Sequence, residues 1–332
     1  HSTPRDLKSW RGADLVVLPT IRTKYLDTPV HTFLSCLHAA SAGYDAALVV
    51  NSANALFVPL LGVGGIPAAL NVDGIEKRRA KWGAFGRAVY AFSERLACVV
   101  PDALVTDAEV IRRHYLERYG AESVPIAYGV DPKPPAETGV LARLGIAPRQ
   151  YFLYVSRFEP ENNPHRVAEA YRNVGGDLPL VMVGGAPYAG RFIAGFTQGA
   201  DSRILFPGAI YGEGYRELLA HALAYVHATE VGGTHPALVE AMGYGNCILV
   251  NETPENREVA GEAGLWFRAE EPGTLAERMD WVRGHPAEAR ALGRAAGERA
   301  ALLFSWERVA DQYAGLLRRL AGRPPESYAG DA

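Results

Sequence analysis

Residues 224–246 read AYVHATEVGGTHPALVEAMGYGN, a β-branched and aromatic run that passes through two glycines into helix formers. Gly232 and Gly233 let the backbone approach a ligand, Thr234 or His235 can cap the next helix, and Pro236 is preorganised for its first turn. A helix that opens this way turns its amides and its positive end towards whatever lies beyond the strand, which suits a diphosphate. Glu240, four residues after Pro236, falls one turn deeper on the same face, where a carboxylate can accept a hydrogen bond from a ribose hydroxyl. The same letters also describe an ordinary glycine-rich turn with a solvated glutamate, and the segment alone leaves both readings open.

Outward from this segment, short β-branched runs alternate with stretches of helical periodicity, the pattern that builds parallel sheets. Phe152–Val155, Leu180–Val183, Ile204–Phe206, Ala224–His227 and Cys247–Val250 read as strands of one lobe. Asp14–Leu18, Ala46–Val50, Ala68–Val72, Ala103–Thr106 and Val124–Ala127 read as strands of another, with helices over Ala84–Val99 and Glu109–Tyr119. Between the two sets lies VDPKPPAETG (130–139), in which neither helix nor strand can run far. The expected fold class is α/β, with two Rossmann-like, doubly wound lobes facing a cleft. The first lobe covers 1–135 and the second 136–304. The remaining 305–332 form a helix and tail that pack back on the first lobe, after a break at Phe304-Ser305.

Composition narrows the function classes. The chain has 332 residues, 48% of them hydrophobic, enough for two cores. With 34 basic and 37 acidic side chains it lacks the excess cation of a nucleic-acid-binding surface. Cys36, Cys98 and Cys247 show neither zinc-site nor disulfide spacing and suit a reducing, cytoplasmic setting. No apolar run approaches the ~20 residues a spanning helix needs.

In open α/β sheets, ligands lie beyond the carboxyl ends of the strands. Arg157 follows the strand YFLYVS (151–156) at that edge. A guanidinium there can stabilise a departing diphosphate without metal; the alternative is a surface arginine paired with Glu159 or Glu161.

The set SRFEPENN (156–163), GGTHPALVEAMGYGN (232–246), ENREVAGEAG (255–264) and FSWERVADQY (304–313), in this order, resembles the family 4 retaining glycosyltransferases of the GT-B fold. The resemblance covers nearly the whole chain. NVDGIEKRRAKW (71–82), SERLACVVPDALVTDAEVI (93–111) and IAYGVDP (126–132) are similar to a bacterial subfamily that includes rhamnosyltransferases of polysaccharide assembly. It implies that Arg157 contacts the donor diphosphate, that the loop Gly232, Gly233, Thr234, His235 holds the phosphates, and that Glu240 binds the ribose. It also implies that the backbone at Ala209 and Ile210 meets the base, and that Asp73, at the end of a first-lobe strand, lies near the transferred sugar. The expected donor is a UDP- or dTDP-linked sugar, with no cofactor and, since the sequence has no Asp-x-Asp motif, no metal; a lipid-linked saccharide acceptor is expected from the basic and aromatic stretch 76–95.

Three departures accompany the resemblance. Gly232 stands where the family usually has a glutamate, eight residues before Glu240, and Asn162 stands where it has a lysine. Asn162 can still donate hydrogen bonds to the donor. The chain also opens at HSTPRDLKSW instead of a strand and glycine-rich loop, so the front of the first lobe is expected to be missing, the sequence being a fragment, with an exposed edge in that lobe's sheet. The basic and aromatic stretch 76–95 can rest on an anionic membrane surface at the inner face of the plasma membrane, or form a helix with a merely solvated basic side. His31, His38 and His114 read as structural. Rival functions are a nucleotide-sugar 2-epimerase and a catalytically silent nucleotide-sugar-binding subunit.

Overall fold

The protein is described from a computed structural model, covering residues 7–21, 23, 26–72, 74–75, 83–186 and 189–324. Asp73 and residues 76–82 of the basic stretch lie outside the described residues. The chain opens with an antiparallel hairpin, β1 (Ser9–Trp10) and β2 (Ala13–Asp14), closed by Arg11 and Gly12, both at positive φ as a type I′ turn requires. The strand expected over Asp14–Leu18 is therefore corrected: only Ala13–Asp14 pair. Val16 and Val17 are both exposed, so neither side of the segment has a core to rest on.

The first-lobe sheet is parallel and runs in sequence order: β3 (Ala47–Val50), β4 (Ala68–Val72), β5 (Ala103–Thr106), β6 (Val124–Pro125). When strands are added one after another in one direction, right-handed crossovers put every connecting segment on the same face. Leu70, Val72 and Leu104 accordingly pack against Ile111 and Tyr115 of the helix Glu109–Tyr119, while Ala68 meets Val58 and Leu61 of the helix Val58–Val63. The opposite face would be bare. The last helix, Trp306–Leu320, covers it: Val309 and Leu316 pack on Ala69, Val105 and Ile126, and Tyr313 accepts a hydrogen bond from the buried Asn71 amide. Cover stops short of the edge strand β3, where Leu48 and Val50 stay 38% and 59% exposed. The four strands pair without a gap.

The second-lobe sheet has six parallel strands, β7 (Phe152–Arg157), β8 (Leu180–Gly185), β9 (Ile204–Gly208), β10 (Ala224–His227), β11 (Cys247–Asn251) and β12 (Gly264–Phe267), ordered β12-β11-β10-β7-β8-β9. Both faces are covered, which explains why its strands read as continuous apolar runs. Leu153, Val181, Tyr225 and Ile248 point to one core, and Phe152, Met182, Val226 and Leu249 to the other. The order reverses at the β7–β10 pair. The helix after β7, Pro164–Tyr171, packs on one face and the helix after β10, Pro236–Gly243, on the other, so a crevice opens between their starts.

Segment 131–139 carries no helix or strand, and the helical tail breaks at Phe304-Ser305, where Val130 pairs with Ser305 and the Ser305 hydroxyl caps the last helix. Among the described residues no helix is long and apolar enough to cross a membrane.

Candidate active site

A cavity of about 290 Å³ lies at the carboxyl ends of β7 and β10, where the strand order reverses. It gathers Arg157, Asn162, Gly232, Gly233, Thr234 and His235 of the residues expected from sequence. It also gathers Asp107, Tyr128, Ser156, His227 and Thr229, which sequence reading did not select. Glu240, Ala209 and Ile210 do not line it; Ala209 is exposed and Ile210 packs on the core beneath.

The two loops that frame the cavity are tied to each other. Glu230 donates its backbone N–H to Glu161 O at 3.0 Å, and the Asn163 amide donates to Ala228 O at 2.9 Å and to Glu230 Oε1 at 2.7 Å. Asn163 holds a left-handed φ of 57°, which asparagine tolerates through such local hydrogen bonds. From the next strand exit, Asn256 donates to Thr229 O and to Asn251 O. The EPENN and ENRE segments thus work as scaffolding for the strand ends that carry the site.

Arg157 reaches the cavity with its side chain 60% exposed and rests 3.7 Å from Glu159 Oε2. The pairing with Glu159 is present while the same side chain borders the cavity, and a pair this long and this solvated costs little to break. Asn162 is buried, and its side chain donates to Arg157 O at 2.7 Å. Tyr154 in turn donates to Asn162 O and accepts from Ser156. The amide therefore fixes the backbone that presents the guanidinium.

Gly232 and Gly233 are glycines for steric reasons. A Cβ at Gly232 would lie 2.4 Å from His235 Cε1, and its φ of 152° disfavours side chains; a Cβ at Gly233 would lie 1.9 Å from Asp107 Oδ1. The position where the resemblance leads one to expect glutamate has no room for one while the His235 ring is seated there. Asp107 belongs to the first lobe, so the glycine loop is where the lobes meet. The Thr234 hydroxyl donates to Asp107 O across that boundary. Nearby, the Glu258 carboxylate accepts from the N–H groups of Glu109 and Val110 at 2.6 and 2.8 Å, capping a first-lobe helix from the second lobe.

His227, the last residue of β10, is 4% exposed, and its ring centroid is 4.8 Å from that of His235. Burial, reinforced by the neighbouring His235 and weakly opposed by Asn256, holds its imidazole well below the usual range, so the ring is neutral. Glu240 accepts a hydrogen bond from the Tyr215 hydroxyl at 2.6 Å, and burial together with nearby Tyr225 and Glu240 pushes the Tyr215 phenol well up. Among the described residues no group of three or more His, Cys, Asp or Glu side chains could hold a metal ion.

Sequence comparison matches residues 142–299 to the family of glycosyl transferases group 1. The D-rhamnosyltransferase WbpZ of Pseudomonas aeruginosa is 27% identical over 199 residues, 57% of this chain and 51% of that protein, so the match spans about half the relative's length. The alpha-maltose-1-phosphate synthase of Mycolicibacterium smegmatis is 26% identical over 311 residues, 83% of this chain and 80% of its own. Among solved structures, Anabaena HepE in complex with UDP-glucose superposes with a TM-score of 0.76 at 15% identity, covering 87% of this chain and 82% of that one. The epimerase alternative finds no favour in these matches. The chain has the GT-B arrangement of two facing α/β lobes, and its second lobe, over residues 142–299, matches the glycosyl transferases group 1 family.

Proposed function

We propose that the protein is a retaining, metal-independent glycosyltransferase that moves a hexosyl group, with rhamnose as the leading candidate, from a UDP- or dTDP-linked donor to an acceptor hydroxyl in cell-surface polysaccharide synthesis. The observation that carries this reading is the cavity at the β7–β10 reversal, where a cationic side chain, a glycine loop and a helix start converge. The rhamnosyl assignment draws on the similarity to the Pseudomonas rhamnosyltransferase, and the nucleotide sugar on the UDP-glucose complex of the structural neighbour.

In this mechanism the acceptor hydroxyl attacks the anomeric carbon from the face that the diphosphate leaves. A carbon–oxygen bond to the acceptor forms, the bond to phosphate breaks, and the hydroxyl proton passes to the departing phosphate oxygen. Arg157 and the backbone of the Gly232–His235 loop stabilise the charge that builds there, and the protein otherwise contributes orientation. Glu240, held by Tyr215, receives the ribose, and Ala209 and Ile210 border the base. Asp73 would meet the sugar or acceptor. The acceptor is proposed to be lipid-linked, reached by peripheral contact through 76–95 at the inner membrane face.

The test is a thermal-shift series with UDP and dTDP. Either nucleotide should raise the melting temperature by an amount that follows mass action, with chelator making no difference. Stabilisation only in the presence of magnesium or manganese contradicts the metal-free reading.

A further inference from the structure

Two features of the cavity are left over once the diphosphate has been assigned to Arg157 and the glycine loop. The first is His227, 96% buried by its 4% exposure, which lines the cavity; the Asn256 side chain interacts with the ring, yet its Nε2 makes no hydrogen bond of ordinary geometry. A buried ring nitrogen without a well-formed hydrogen bond is costly and has room for a partner that arrives. The second is the seat of His235. Its ring occupies the volume that any side chain at Gly232 would need, and this brings it to 4.8 Å from His227, at an interplanar angle of 50°. Tyr225 stacks on His227 with ring centroids 6.4 Å apart, so the ring has two aromatic neighbours.

The chemistry of this pair differs from that of the β7 side. Arg157 offers a permanent cation, suited to phosphate oxygens. Burial and the adjacent ring oppose protonation of His227, and a neutral imidazole is a weak partner for a dianion. It is a good partner for a hydroxyl. One ring nitrogen accepts, the other donates, and a hydroxyl does both.

We propose that His227 and His235 form the sugar-recognition wall of the donor site, with His227 Nε2 hydrogen-bonded to a hydroxyl of the transferred sugar and the His235 ring seated by Gly232 against it. This rests on the reading of the cleft as a nucleotide-sugar site, and it gives the two rings a specificity-determining role distinct from leaving-group stabilisation. Gly232 belongs to the same device, since a side chain there would unseat the ring.

The experiment compares nucleoside diphosphate with nucleotide sugar on the full chain. Calorimetry is run with UDP against UDP-glucose and dTDP against dTDP-rhamnose, on wild type, His227→Asn and His235→Asn. The His235 side chain makes no capping hydrogen bond, so the second variant removes no cap, and diphosphate binding by His227→Asn reports that this variant is folded. In wild type one nucleotide sugar should bind more tightly than its parent diphosphate. In both variants that increment should shrink by about tenfold, the scale of one neutral hydrogen bond, and in His227→Asn, which lies outside the phosphate loop, diphosphate affinity should stay within about twofold. Equal losses for diphosphate and nucleotide sugar would place the rings on the phosphates and overturn the proposal, as would an unchanged increment or no increment in wild type for either pair. Failure of wild type to bind either diphosphate would instead bring down the nucleotide-sugar reading of the cleft, and the proposal with it.

Discussion

The two sheets of this protein are built from the same unit and end in different places. In the second lobe the strand order reverses between β7 and β10, the crossovers leave on opposite faces, and the crevice between their first turns becomes a cavity. In the first lobe β3 to β6 follow in order, every crossover leaves on one face, and the described strands contain no reversal. That lobe does not build a crevice of its own from these strands. It contributes walls instead, Asp107 after β5 and Tyr128 after β6, laid against the partner's glycine loop. The comparison teaches that the cavity belongs to the second lobe by topology, and that the open face of the first-lobe sheet is covered by a helix from the far end of the chain.

The largest expected difference is in packing. Leu249 on β11 is fully buried, and Leu249→Ala should destabilise the protein by about 2–5 kcal/mol in chemical denaturation. Glu240→Gln should weaken UDP binding by about 1.5–3 kcal/mol in calorimetry, the range for hydrogen bonds to a charged group. Tyr215→Phe, which removes the hydroxyl that steadies the carboxylate, should cost less. Unchanged affinity in Glu240→Gln would return that residue to a solvated or structural role.

Tyr313→Phe should destabilise by about 1–3 kcal/mol, because it leaves the buried Asn71 amide of β4 without its partner. Hydrogen exchange should place the loss in β4 and β5 and spare the second-lobe sheet; uniform loosening would mean that the borrowed helix does not serve the first lobe in particular. The smallest effect is expected at the open edge. Leu48→Ser on β3 should change stability by no more than about 0.5 kcal/mol, and a larger loss would show that something covers this face in solution.

The same contrast governs what could be read in advance. The second-lobe strands were legible because burial on both faces writes them as unbroken apolar runs, and Ala224–His227 was placed to the residue. The break expected at Phe304-Ser305 is present, and the structure shows the Ser305 side chain capping the helix that follows. Asp14–Leu18 misled because a β-branched composition says nothing about whether a neighbour exists to pair with it. At the site, Arg157 and the glycine loop were visible as local motifs. His227 and Asp107 were not, although the rule that found Arg157, inspection of each strand's carboxyl end, points to both. The Tyr215 bond to Glu240 joins elements 25 residues apart, and no local pattern carries it.

The central claim is that a nucleoside diphosphate binds at the β7–β10 reversal, and hydrogen–deuterium exchange with and without saturating UDP or dTDP tests it most directly. Protection should appear in the β7 exit, residues 155–163, and in the loop and helix start, residues 228–240, with smaller changes at Asp107 and Tyr128 where the first lobe closes over them. Protection confined to the carboxyl ends of β3 to β6, with the second-lobe loops unchanged, would contradict the account.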